Sequence, residues 1–200
     1  MKKDISTEEK IKQAASKVFV KKGLAGARMQ EIADEAGINK AMLHYYYRSK
    51  DKLFHSIFME VVKEFTPKII GVLNADLPLQ KKIERYVEEY IGMLKNDPAI
   101  PLFIFNEMKN NPKEFIEKVG IVESGVLDKL NDQLIEEKRV GNIRFISVHE
   151  FMINLVSLCV FPFLAKPMFQ GIFNASDDEF YKFMEMRKKS IPVFMMAAIS

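Results

Sequence analysis

The side chains able to do chemistry in this 200-residue chain are unevenly spread. The three histidines, His44, His55 and His149, are scattered and lack a metal-ligand spacing such as H-E-x-x-H. The single cysteine, Cys159, sits inside an apolar run, where a thiol is raised in pKa and inert. The chain has no phosphate loop, no G-x-G-x-x-G and no G-x-S-x-G. An enzyme, a metal site and a bound cofactor are therefore not expected. What remains is a concentration of hydrogen-bonding groups between Arg28 and Lys50. Lys40 can donate to guanine O6 or N7, Gln30 can pair with adenine, and Ala41 and Met42 offer apolar contact to a thymine methyl. Arg28, His44, Tyr45, Tyr46 and Lys50 carry the donors that phosphate oxygens accept. Packing is the competing role for the tyrosines, and it is the favoured one for Tyr47.

These groups need elements to hold them. Ile32, Ala33 and Ala36 form an apolar face at helical spacing, and Gly37 stops that helix as a residue free to turn left-handed. Asn39 can cap the next helix, in which Leu43 points back to the core. Ser49 offers a further cap before Lys50, Asp51 and Lys52. A short helix, a glycine turn and a second helix with a small, basic N-terminal end describe a helix-turn-helix. Upstream, Ser6-Thr7-Glu8-Glu9 fits a capping box after a loose arm at residues 1–5. The helix behind it shows Ile11, Ala14, Ala15, Val18 and Phe19 on one face, to be closed by Lys21, Lys22 and Gly23. Its lysines read as solvated rather than phosphate-bound.

The run Gln30-Glu31-Ile32-Ala33, Ala36-Gly37-Ile38, Leu43-His44-Tyr45-Tyr46-Tyr47, Ser49-Lys50 and Leu53-Phe54 resembles the N-terminal domain of the TetR family of transcriptional regulators. The likeness covers about a quarter of the chain. It departs from the family at Ala27 and Arg28, where a small hydroxyl residue often caps the helix and touches a phosphate. It implies a DNA-reading domain at 1–52 and a helical ligand-binding and dimerisation domain at 53–200, with Gln30 at a position that often contacts bases.

Residues 1–52 hold twelve basic and seven acidic residues, a net of +5, while the remainder holds 18 and 20, a net of −2. The basic excess lies where the helix-turn-helix lies, as phosphate binding requires. Farther along, a helix is expected from Lys50 to a stop or kink near Phe65, before Pro67. Others should carry Ile83 to Leu94, a short stretch opened by Pro98 or Pro101, and Phe115 to Leu134. Ser147 to Glu150 fits another capping box, and the helix after it is apolar on nearly every side, bent or ended by Pro162 and Pro167. Ser176 to Glu179 caps the last helix. No strand pattern is present, so the fold is all-α. A helix apolar all round must be covered all round. The last two helices, residues 148–166 and 178–198, are therefore expected to meet their copies in a homodimer, with Phe163, Phe169 and Phe173 in the connecting loop. The apolar run at 151–164 is shorter than the roughly 20 residues a membrane span needs, and a lone cysteine suits a reducing cytoplasm.

The C-terminal part is rich in Phe and Met, which suit either a solid core or an adaptable cavity. The family resemblance favours the cavity. Phe65, Tyr86, Tyr90, Phe103, Phe105, Phe115, Met152 and Cys159 are its candidate walls, with Asn106, Glu107 and Asn154 as polar orienters. The expected function is a ligand-responsive, sequence-specific DNA-binding regulator, a repressor released by a mostly apolar inducer. Its partners would be a palindromic double-stranded operator, that inducer and a second copy. The alternative is a helical protein-interaction module that reads no DNA.

Overall fold

Several helix starts in this chain are written by side chains that satisfy the first free N–H groups. Ser6 accepts from the Glu9 N–H at 3.2 Å while the Glu9 carboxylate takes the Ser6 N–H at 2.9 Å, and Ser176 and Glu179 repeat this reciprocal box. Ser147 accepts from the Glu150 N–H at 3.2 Å, the forward half of the expected box. A computed structural model describes residues 6–97, 100–110, 112–144 and 146–200. The expected arm at 1–5, Pro98 and the Asn111 stop lie outside the described residues.

The elements are α1 (Thr7–Gly26), α2 (Met29–Ala36), α3 (Lys40–Tyr46), α4 (Lys50–Asn74), α5 (Leu79–Asn96), α6 (Ile100–Asn110), α7 (Pro112–Val119), α8 (Val126–Arg139), α9 (Val148–Leu164), α10 (Lys166–Phe173) and α11 (Asp177–Ile199). No strand occurs among the described residues, so the all-α reading holds. They pack as two compact units: residues 1–63 with 98–112, and residues 64–97 with 113–200.

The first unit buries the α1 stripe, Ile11, Ala14, Ala15 and Phe19, against Ile32 and Ala33 of α2 and Leu43 of α3. Gly23 turns left-handed at φ 67°, and one more turn follows it to Gly26. A contribution from far along the sequence completes this core. Phe103 of α6 lies 4.5 Å from the Phe54 ring and 6.0 Å from Phe19, and those two meet edge-on at 5.2 Å. Aromatic pairs in such geometry add about 0.5–1.5 kcal/mol each beyond area burial.

The second unit is built on α5, which packs against α8, α9 and α11. Ile83, Tyr86, Val87, Tyr90, Ile91 and Leu94 form its buried stripe. Three expectations are corrected. The helix begun at Lys50 runs through Pro67 to Asn74 instead of ending near Phe65; proline forfeits one backbone bond, which neighbouring turns survive. The single helix expected from Phe115 to Leu134 is two, because Gly120 and Gly125 take φ of 63° and 64° and break it. The connecting loop at Phe169 and Phe173 is a helix, with Pro167 in its first turn and a 68° bend from α9. No single helix among the described residues is long and apolar enough to cross a membrane; α9 and α10 pass that test only as this bent pair.

Candidate nucleic-acid interface

The helix-turn-helix is set by two local devices. Gly37 stands at φ 68°, and its N–H and that of Ile38 return to the Asp34 and Ala33 carbonyls at 3.2 and 3.0 Å, ending α2. The Asn39 side chain then accepts from the Met42 N–H at 2.7 Å and starts α3. No side chain caps α2, whose N-cap is Arg28, in keeping with the missing hydroxyl there.

On α3 the core takes Leu43, which is fully buried, and leaves the rest of the helix outward. Lys40, Ala41, Met42 and His44 are exposed, as are Tyr45 at 84% and Tyr46 at 42%, their rings edge-on 5.6 Å apart. Arg28 and Gln30 are exposed as well, and Lys50 is half-buried with its ammonium 3.4 Å from the Ala25 carbonyl. Gln30 Nε2 donates to Asp34 at 2.8 Å, which holds the amide along α2 and leaves its second N–H and its carbonyl oxygen for a base. Arg48, exposed in the bend between α3 and α4, was not among the sequence candidates; its position between the tyrosine run and the Ser49 cap is the signal that points to it.

Tyr47 is buried, as packing required, and its hydroxyl donates to Glu8 at 2.9 Å. Lys12 bridges Glu8, at 2.9 Å, and Glu60. The network joins α1, the C-cap of α3 and α4. Lys12, then Tyr47, hold the Glu8 carboxyl below its ordinary range, and burial raises the Tyr47 phenol.

The eleven candidate ligand contacts divide. Tyr86 and Tyr90 stack 5.4 Å apart, Phe65 meets Tyr90 edge-on at 5.0 Å, and Cys159 of α9 is buried in the same unit. Burial raises both phenols and pushes Cys159 up to about 12. Met152 and Phe115 are half-buried on α9 and α7. The others depart from the expected wall. Phe103 is a core residue of the first unit, in which Phe105 of α6 is 51% exposed and Asn106 half-buried. Glu107 is buried near His55, 3.9 Å away. Asn154 faces outward on α9.

Comparison with known proteins agrees with this geometry. Residues 11–57 match the family described as bacterial regulatory proteins, tetR family. The chain is 21% identical to the fatty acid metabolism regulator protein of Bacillus subtilis over 131 residues, 66% of this chain and 68% of that one. It is 30% identical to the HTH-type transcriptional activator FasR of Mycolicibacterium smegmatis over 119 residues, 60% of this chain and only 54% of that protein. Its fold is shared with HlyIIR, a hemolysin II transcriptional regulator, at a TM-score of 0.63 and 23% identity over 96% of both chains. It is shared too with the regulator PfmR of Thermus thermophilus, at 0.69 and 15% over 94% and 97% of the two chains. An exposed α3 set on a buried Leu43, the match of residues 11–57 around it and a fold shared along nearly the whole length together support a helix-turn-helix transcriptional regulator of the TetR family.

Proposed function

We propose that this regulator binds a palindromic operator as a homodimer and represses by occupying it, until an apolar small molecule releases it. The observation that carries the reading is the N-terminal end of α3. There Lys40, Ala41 and Met42 are exposed in one turn, anchored by the Asn39 cap and buried Leu43. A helix so presented fits a major groove, with Lys40, Ala41, Met42 and Gln30 at base edges and Arg28, His44, Tyr45, Tyr46 and Lys50 on phosphates.

Dimerisation is supported by the outer faces of α9 and α11, which expose Ile153, Phe161, Met186, Val193 and Phe194. Apolar surface of that kind marks an interface. Two copies double the phosphate contacts and fix half-sites one helical turn apart, about 34–36 Å. For the inducer, the aromatic cluster of Phe65, Tyr86 and Tyr90 with Cys159 supports an apolar ligand that enters by parting it. The name of the Bacillus subtilis relative suggests fatty acyl chains as the first class to try. A ligand preferring a state with misaligned recognition helices would release DNA.

Selection of bound duplexes from a random pool tests the proposal. A palindrome of two half-sites is expected, with release by fatty acids or their thioesters in a follow-up binding assay. If nothing is enriched and binding disappears with modest salt, the chain is a helical interaction module instead.

A further inference from the structure

The outward side of α9 is not wholly apolar. Glu150, Asn154 and Ser157 follow one another at i, i+4 and i+7 and form a polar stripe, exposed throughout. This corrects the expectation of a helix with no polar face. The stripe lines a groove of about 560 Å³ between α9, α10 and α11, walled by aromatics such as Phe161 and Phe194. Arg187 of α11 reaches into the same groove. One guanidinium nitrogen, Nη2, donates to the Leu158 carbonyl at 2.7 Å, and the group lies 5.7 Å from the Phe183 ring. Its Nε is buried with no hydrogen-bond partner, and burial pulls its pKa below the ordinary value. A buried donor left unmatched is costly, and a charged one more so.

The groove holds an acceptor, but not within reach. Arg187 is tied to the level of Leu158, and Glu150 lies eight residues back along α9, roughly 12 Å at the helical rise. Asn154 is midway between the two levels. A two-fold axis passing beside Asn154 would reverse α9 of a second copy across the first. It would then set each Glu150 opposite the other copy's Arg187. In such a contact residue i meets j and j meets i, so one complementary pair is made twice. The two Asn154 amides would meet at the axis, each able to donate and accept.

We propose that this groove is a self-recognition surface, keyed by reciprocal Arg187–Glu150 contacts between two copies about an axis at Asn154. The inference rests on the dimer reading above and specifies its register. The apolar rim supplies adhesion, and the two charge pairs supply choice of partner, since a copy lacking Glu150 would cover the Arg187 guanidinium without setting a carboxylate against its charge.

Sedimentation of charge-reversed full-length variants tests this. Glu150→Arg alone and Arg187→Glu alone each oppose like charges twice in their own dimers, and the dimer dissociation constant should rise by about tenfold or more. An equimolar mixture of the two restores both pairs and should dimerise like the unaltered protein, as should the double variant Glu150→Arg/Arg187→Glu. Glu150→Gln, at an exposed site, should weaken association more mildly and less so in high salt, and keeps the test alive if Arg187→Glu fails to fold. If the unaltered protein is monomeric, the dimer reading and the pairing both fall. If it dimerises and the single variants match it, or the mixture of folded variants is not rescued, the pairing alone falls.

Discussion

Lys40 and Lys50 make opposite predictions although both are lysines near one helix pair. Lys40 stands exposed in the first turn of α3, so Lys40→Ala should cost about 1–3 kcal/mol on the selected operator and relax the choice of base at one position. Lys50 faces the end of α1 and is proposed to meet a phosphate, so Lys50→Ala should weaken all duplexes alike and lower the salt slope of binding by about one. Titrations at several salt concentrations on operator and scrambled DNA separate the two. Tyr47 makes a third prediction. Its hydroxyl on Glu8 helps hold that carboxyl low, and a carboxyl depressed in the folded state adds stability above its unfolded pKa that is lost as pH falls through the folded value. Tyr47→Phe should therefore cost about 1 kcal/mol in urea unfolding at neutral pH. The gap between the two proteins should narrow as pH drops below about 4. Cys159 yields a fourth. With its thiol pushed up to about 12, only about one molecule in ten thousand carries the thiolate at pH 8. An aromatic disulfide reagent should leave the native protein untouched and react fully once it is unfolded.

Among the elements, those marked by short-range signals are legible in the sequence alone. Asn39, Ser49, Ser6 and Ser176 each cap within three residues of themselves, and Gly37 ends α2 by its own backbone conformation. Such devices need no tertiary information, so the helix-turn-helix can be placed almost residue by residue. Elements governed by packing are not legible in the same way. Nothing local to Pro67 says that α4 will continue past it, or that Pro167 opens a helix rather than ending one. The candidate site shows the same division. Exposure of α3 follows from Leu43 alone, whereas Phe103 carries no sign that it belongs with Phe19 and Phe54 rather than on a pocket wall. Its placement predicts that Phe103→Ala, distant in sequence from the DNA-reading helix, destabilises the unit containing it by about 3–5 kcal/mol. Thermal melts with DNA titrations should show lost stability and weakened operator binding together.

For the molecule as a whole, the net +5 over the first 52 residues and −2 over the rest makes the N-terminal part basic and the remainder nearly neutral. Long-range attraction to a polyanion thereby favours approach of the helix-turn-helix first. The aromatic cluster of the first unit has a further consequence, in time rather than space. Phe19 and Phe54 leave the ribosome well before Phe103, which closes over them. At roughly 5–20 residues per second, synthesis holds that core open for several seconds. The DNA-reading end is thus begun first and finished late, and a nascent chain stalled before α6 should bind operator weakly and attract chaperones. A truncation at residue 63 should behave like that stalled chain, however complete its three-helix motif looks on paper.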